Sequence, residues 1–239
     1  MAGNRALRMP ATLDEEIIAA ERPAVAATLD DERRIARIAT ELREGFTALA
    51  GLGAAVTFFG SARVPAGDPG YEHARRLARR LGEEGFAIVT GGGPGLMEAA
   101  NLGAREAGVR SVGLNIELPF EQAPNPYADL PLRFHYFFTR KLMFVRYACA
   151  FVVLPGGFGT LDELFEALTL VQTGKARHFP VVLVGVEHWG GMVEWAGERL
   201  AAQGFVSPAD MGLLRLTDDD EEVVELVTRG AALQGVHPR

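Results

Sequence analysis

The chain has 239 residues, 48% of them hydrophobic, which is enough for one sizeable α/β core and short for two independent domains. A formal net charge of −7 argues against a surface that coats nucleic acid, and no apolar run reaches the length of a membrane span. The lone cysteine, Cys149, rules out an intrachain disulfide, and histidines at 73, 135, 178, 188 and 237 show no metal-ligand spacing, so no metal site and a cytoplasmic location are expected.

Residues 1–27 hold Pro10 and Pro23 around a short acidic helical patch, Leu13 to Glu21, and read as a flexible arm. From Thr28, a candidate cap, Ile35, Ile38, Leu42, Phe46 and Leu49 keep one helical face until Gly51 and Gly53. This makes 28–52 an N-terminal helix, packed on the sheet or on a second subunit. Residues 53–239 then form a single domain in which strand, loop and helix alternate. Strands are expected at 54–59, 86–90, 110–116, 133–138, 150–154, 180–185 and 213–216, and helices at 70–84, 94–107, 139–148, 160–174, 189–203 and 219–231. The connection lengths suit right-handed parallel crossovers, so the expected fold is a Rossmann-like, doubly wound, mainly parallel sheet with helices on both faces. In such sheets a ligand sits beyond the carboxyl ends of the strands, where strand order reverses. The usual nucleotide codes are absent: the first strand leads into Gly60-Ser61-Ala62-Arg63-Val64-Pro65 rather than Gly-x-Gly-x-x-Gly, and Gly174-Lys175 closes a helix.

Three strand ends carry chemistry. The first is Thr90-Gly-Gly-Gly-Pro-Gly-Leu-Met97, a glycine loop that opens a helix. The second is Thr139-Arg140-Lys141, where two cations in a first helical turn oppose the helix dipole, a conflict that an anionic ligand would remove. A solvated basic pair is the plainer account of the same residues. The third is Pro155-Gly-Gly-Phe-Gly-Thr-Leu-Asp-Glu163, a buried strand's end, a glycine turn and a helix start. Gly156, Gly157, Gly159 and Thr160 can turn their amides toward one anion at a helix N-terminus. The competing reading is structural: Thr160 to Glu163 fits a capping box, with Glu163 folded back to the amide of Thr160. Two glycine-rich helix starts at one sheet edge favour the anion site.

Together these stretches resemble the LONELY GUY family, the cytokinin-activating phosphoribohydrolases whose bacterial relatives often carry a lysine decarboxylase label. The likeness rests on Pro155-Gly-Gly-x-Gly-Thr-x-x-Glu163, Arg140-Lys141 and Gly91-Gly-Gly-Pro-Gly-Leu-Met97, and covers roughly residues 54–204. It implies hydrolysis of the N-glycosidic bond of a purine nucleoside 5'-monophosphate, with Arg140 and Glu163 as the catalytic pair and no cofactor. It also implies nucleotide contacts at Ser61, Gly92, Gly93, Gly95, Met97 and Lys141, and a homodimer or higher homo-oligomer with the site near the interface. The role of each catalytic residue is left open, as is transfer of the ribosyl group to an acceptor other than water. A non-catalytic AMP sensor would use the same loops, but it has little use for an acid beside its anion. Met97, Leu142 and Phe158 are candidates for an apolar slot, or else ordinary core.

Overall fold

A computed structural model describes residues 12–19, 31–118, 123–176 and 179–238. Of the expectations for the arm, Pro10, Pro23 and the Thr28 cap lie outside the described residues, as does His178; the acidic patch is helical over Leu13–Ala19 (α1). Helix α2, Asp31–Leu49, is followed by Gly51 and Gly53 at φ 77° and 82°, left-handed values that end the helix as its sequence requires. Then come β1 (Ala55–Phe59), α3 (Pro69–Glu83), β2 (Ala87–Thr90), α4 (Leu96–Glu106), β3 (Ser111–Ile116), β4 (Leu130–Phe134), α5 (Phe137–Tyr147), β5 (Ala150–Val153) and α6 (Phe158–Gln172). The chain closes with β6 (Val181–Leu183), α7 (Val186–Trp195), a π-helical turn over Ala196–Ala201, a 3-10 turn, β7 (Arg215–Leu216) and α8 (Asp220–Leu233).

The seven strands pair in the order β4-β3-β2-β1-β5-β6-β7, every pair parallel. Strand order therefore runs outward in both directions from the β1–β5 pair, which places the crevice between the loops that follow these two strands. Strand β1 is buried along its whole length, as its unbroken apolar run demands in a sheet covered on both faces. One face carries Val56 and Phe58 against α3, α4 and α8 through Leu77, Leu81, Ala100 and Val227. The other carries Ala55 and Phe59 against α2, α5, α6 and α7 through Leu49, Phe144, Leu164 and Trp189. Helix α2 reaches this second layer over α5, where a Cβ at Gly45 would stand 3.0 Å from the Met143 side chain.

Element boundaries differ most from expectation at β4 and α7. The stretch 133–138 is aromatic and reads as strand, yet β4 ends at Phe134 and Phe137 opens α5. β4 is an edge strand, which is what admits Pro131 within it. The helix expected at 189–203 starts earlier, at Val186, and gives way to the π turn after Trp195.

Helices α3 and α4 approach closely at Gly103, where a Cβ would lie 2.1 Å from the backbone oxygen of Arg75. Gly103→Ala is therefore expected to lower unfolding free energy by about 2–3 kcal/mol. Gly190→Ala in α7, where a Cβ meets nothing within 4 Å, is expected to be neutral or to gain about 0.5–1 kcal/mol. Urea unfolding midpoints of the two variants check the contrast.

Candidate active site

Three loops are tied together at the switch point by one residue's backbone. Ser61 donates its N–H to Pro155 O at 3.0 Å and accepts from Leu96 N–H at 2.9 Å, so the ends of β1 and β5 and the start of α4 share a fixed geometry. Gly95 makes this approach possible: its φ is 70°, and a Cβ there would come within 2.4 Å of Ser61 O. The Ser61 hydroxyl accepts from Arg63 N–H at 3.1 Å.

The α6 turn is open. Gly157 is the N-cap, no side chain among the described residues caps the helix, and its first turn holds no acid. The first intrahelical bond there runs from Leu161 N–H to Gly157 O at 3.0 Å, so the N–H groups of Phe158, Gly159 and Thr160 precede it and point out of the helix end. A Cβ at Gly157 or Gly159 would meet nothing within 4 Å, whereas one at Gly156 would stand 2.1 Å from the Thr160 hydroxyl. The capping box is not formed. The helix starts at Phe158, three residues before a box at Thr160 requires, which moves Glu163 to the sixth helical position and turns it inward, where it is buried.

The loop after β2 is, by contrast, filled by protein. Gly92 donates its N–H to Thr90 Oγ at 2.9 Å, and its carbonyl accepts from Asn115 Nδ2 at 3.0 Å and Asn125 N–H at 2.9 Å. Gly93 O accepts from Asn125 Nδ2 at 3.0 Å. Beneath them Asn101 is fully buried and satisfied, accepting from Thr90 Oγ at 2.6 Å and Asn125 Nδ2 at 3.0 Å and donating to Ser111 Oγ at 2.8 Å and Val112 O at 3.2 Å. The Gly92 amide is thus not free to hold an anion. Nor does Pro94 occupy the first turn of α4, which opens after the Gly95 cap. Met97 packs its sulfur against Gly91, where a Cβ would lie 2.8 Å away.

Arg140 and Glu163 meet between these loops. Arg140 Nη2 stands 3.9 Å from Glu163 Oε1, both side chains are largely buried, and Arg140 Nε has no hydrogen-bond partner among the described residues. The guanidinium lies 5.2 Å from the centroid of the Phe137 ring and 5.5 Å from that of Phe144. Burial pulls the Arg140 pKa down, opposed by the charge of Glu163. Burial likewise pushes Glu163 up to about 7, against the pull of Arg140 and then Lys141. Each group is therefore desolvated, facing an opposite charge beyond hydrogen-bond reach. Lys141 faces elsewhere, with Nζ 3.0 Å from Asp162 Oδ1 and 3.1 Å from Glu166 Oε2. Burial works against its charge, but these carboxylates and Glu163 outweigh it and raise its pKa.

The basic pair does not leave the start of α5 in electrostatic conflict. Phe137 N–H donates to Asp14 Oδ2 at 3.2 Å, and His135 and Tyr136 donate theirs to Glu41 at 2.7 and 3.3 Å, so two carboxylates of the chain itself cover this helix end. Sequence reasoning missed both, because contacts more than ninety positions apart leave no local signal. It also missed His188, whose Nε2 lies 3.4 Å from Gly156 N and 3.3 Å from Gly156 O, and the asparagines at 101, 115 and 125. Asn101 alone offered a signal, a polar residue on the apolar face of a helix. Among the described residues there is no cluster of three or more His, Cys, Asp or Glu that could hold a metal ion, and no helix long and apolar enough to cross a membrane.

The model of a family described as possible lysine decarboxylase matches residues 97–227, more than half of the chain. Over 156 residues the chain is 32% identical to the cytokinin riboside 5'-monophosphate phosphoribohydrolase of Mycobacterium tuberculosis, covering 64% of this chain and 82% of that one. Over 140 residues it is 34% identical to the probable cytokinin riboside 5'-monophosphate phosphoribohydrolase LOGL5 of Oryza sativa subsp. japonica, covering 56% of this chain and only 55% of the relative. In fold it is similar to the molybdenum cofactor carrier protein of Chlamydomonas reinhardtii, with a TM-score of 0.56 and 22% identity over 75% of this chain and 99% of that one.

The Glu163 carboxyl is expected to titrate near 7 in a carbon-13 NMR titration, and to move higher when Arg140→Met removes the opposing charge. Between the usual 4.5 and about 7 the folded protein holds a proton that the unfolded chain has released, so this group makes stability fall as pH rises through that window. Glu163→Gln is expected to remove that slope from the unfolding free energy measured against pH.

Proposed function

The chain belongs to the LONELY GUY family, whose model carries the description possible lysine decarboxylase, and we propose that it is a phosphoribohydrolase acting on purine nucleoside 5'-monophosphates, cytokinin precursors among them. The observation that carries this reading is the Arg140–Glu163 pair: opposite charges, desolvated and 3.9 Å apart, beside a helix end whose amides lack a cap. A site that only bound phosphate would need the amides and would be weakened by a buried acid next to them.

In this reading the 5'-phosphate rests on the α6 turn, at Gly157, Gly159 and Thr160, where amides and helix dipole both favour an anion, with Gly156 beside them and its amide turned to His188 Nε2. The ribose then lies toward the first turns of α6, beside Glu163, with Ser61, Gly93, Gly95 and Met97 along the β1 and β2 side of the crevice. The C1'–N bond breaks, the electron pair leaves with the base, and charge builds on the ribose as an oxocarbenium ion. The ionised Glu163 stabilises that charge and takes the proton from the water whose oxygen joins C1'; the leaving base takes up a proton. Arg140 supplies a fixed fork of donors to the oxygens of the substrate, in a site where burial strengthens each contact. Gly92 contributes shape, since its amide is engaged by Thr90.

Lysine decarboxylation by pyridoxal phosphate does not fit these residues. A Schiff-base lysine is activated by a lowered pKa, whereas that of Lys141 is raised by its acidic neighbours. Lys175, the other lysine, follows the far end of α6, about 20 Å from the glycine turn by helix length.

The surface beside the site supports a homodimer. Phe158 is 92% exposed, and Phe138, Leu142 and Phe165 are each exposed by two-fifths or more, on the neighbouring helices α5 and α6. Leu142 and Phe158 are thus not core, and a second copy that covers them would also close the approach to Glu163. Phe165→Glu is expected to shift the protein to monomer in sedimentation velocity.

Incubation with AMP, and separately with isopentenyladenosine monophosphate, is expected to release free base and ribose 5-phosphate. Glu163→Gln is expected to lower kcat by about 10²-fold or more while leaving the fold intact, since no cap depends on this side chain. Tight AMP binding without release would replace the enzyme by a sensor, and an unchanged rate in Glu163→Gln would remove the carboxylate from the chemistry.

A further inference from the structure

Helix α5 begins without a cap of its own: the N-cap Tyr136 offers no side-chain bond, and the first turn holds no acid. The groups that fill this role come from α1 and α2, both outside the stretch that the family model matches. Glu41 is buried and gathers four donors with one carboxylate: the N–H groups of His135 and Tyr136, His135 Nδ1 at 2.8 Å, and the hydroxyl of Thr139. Asp14 accepts from Phe137 N–H at 3.2 Å. Helix α1 is itself held to α2, since the buried Glu16 lies 3.8 Å from Arg34 Nη2; within α2, Arg34 Nη1 donates to Asp31 at 2.7 Å.

These contacts converge on Arg140. The residue before it, Thr139, is fixed by Glu41. Phe137, whose amide Asp14 holds, also provides one of the two rings that flank the guanidinium. Among the described residues Arg140 Nε has no hydrogen-bond partner, and Glu163 at 3.9 Å is beyond hydrogen-bond reach. The placement of the guanidinium therefore rests on where the first turn of α5 is pinned, on the rings, and on the long-range pull of Glu163, Asp162 and Asp14.

We infer that Glu41, assisted by Asp14, is a positioning residue for Arg140, so that the N-terminal helices are a working part of the active site. The inference rests on the reading above, in which Arg140 contacts the substrate. Glu41 touches no reacting atom; it acts through Thr139 and the backbone of α5. A carboxamide in its place can accept fewer of the four donors, and its own N–H groups would face either the two donors of His135 or Tyr136 N–H and the Thr139 hydroxyl. The start of α5 would then loosen, and the fork of Arg140 with it.

The test uses the full chain and two readouts, one independent of activity. Arg140 is modified with phenylglyoxal and quantified by peptide mass spectrometry in wild type, Glu41→Gln and Asp14→Asn, with wild type also treated in enough urea to match each variant's stability. Modification of Arg140 is expected to rise about fivefold or more in Glu41→Gln and by a smaller factor in Asp14→Asn, above the stability-matched control, because both remove an anchor of one helical turn. With AMP as substrate, kcat is expected to fall about tenfold in Glu41→Gln with KM changed less than about threefold, the pattern of a misplaced group needed in the transition state. Arg140 reactivity equal to the matched control in both variants overturns the inference, whatever the activity. Failure of the wild type to release base would instead overturn the phosphoribohydrolase reading, and the modification experiment still decides the role of Glu41. Asp14→Asn, on a partly exposed contact, keeps the test decisive if Glu41→Gln does not fold.

Discussion

The pairing of β1 with β5, with Ser61 at its upper end, is the constraint on which the rest depends. The sheet runs outward from β1 through β2, β3 and β4 and from β5 through β6 and β7, so only here do two neighbouring strand ends open away from each other. The backbone of Ser61 then binds the loops after β1, β2 and β5 into one surface through its bonds to Pro155 and Leu96. Backbone groups make these bonds, so the arrangement depends on chain path and on the absence of a Cβ at Gly95, and hardly on the serine side chain. The interior beneath is ordinary in kind: apolar strands buried on both faces, with helices in two layers.

Against that economical scaffold the Arg140–Glu163 pair is expensive. Taking two charges out of water costs several kcal/mol per ion before their attraction is counted, and at 3.9 Å without a hydrogen bond the attraction recovers only part of it. The direction of both shifts records the imbalance, since burial moves each group toward its neutral form and the partner only partly restores it. A shorter contact would have stabilised the fold better. The separation instead leaves donors on Arg140 and an oxygen of Glu163 for a third body between them, which is how a site can hold stored electrostatic energy for a substrate.

What the sequence made legible follows the range of the forces involved. The parallel strands other than β4, and the helix ends at Gly51, Gly53 and Gly174, are local matters of apolar runs and left-handed backbone, and they lie close to where they were expected. The misplacement of β4 and the start of α5 has one source. Phe134 to Phe138 is aromatic enough for a strand, and what turns Phe137 into a helix start is satisfaction of backbone donors by Glu41 and Asp14, far away in the chain. The same contacts answer the electrostatic question at Arg140 and Lys141: an anion was indeed needed at this helix end, but the protein supplies it. Residue type was readable, since Arg140 and Glu163 could be singled out. Their burial and separation were not.

The two glycine loops show why motif and function must be separated by following the amide hydrogens. Both follow parallel strands, both open helices at the same sheet edge, and in sequence they are equivalent candidates for an anion. In the loop after β2 the glycines make room for Asn115, Asn125 and Thr90, which consume the polar groups of Gly92 and the carbonyl of Gly93. In the loop after β5 only Gly156 is required by a neighbour, the Thr160 side chain, while Gly157 and Gly159 face open space and the helix beyond them lacks both cap and acid. Unpaired helix-end amides tolerate solvent at an exposed end, but here the end adjoins a buried arginine and a buried carboxyl, where water gains less. The difference between the two loops lies in how many hydrogen bonds each has left to make.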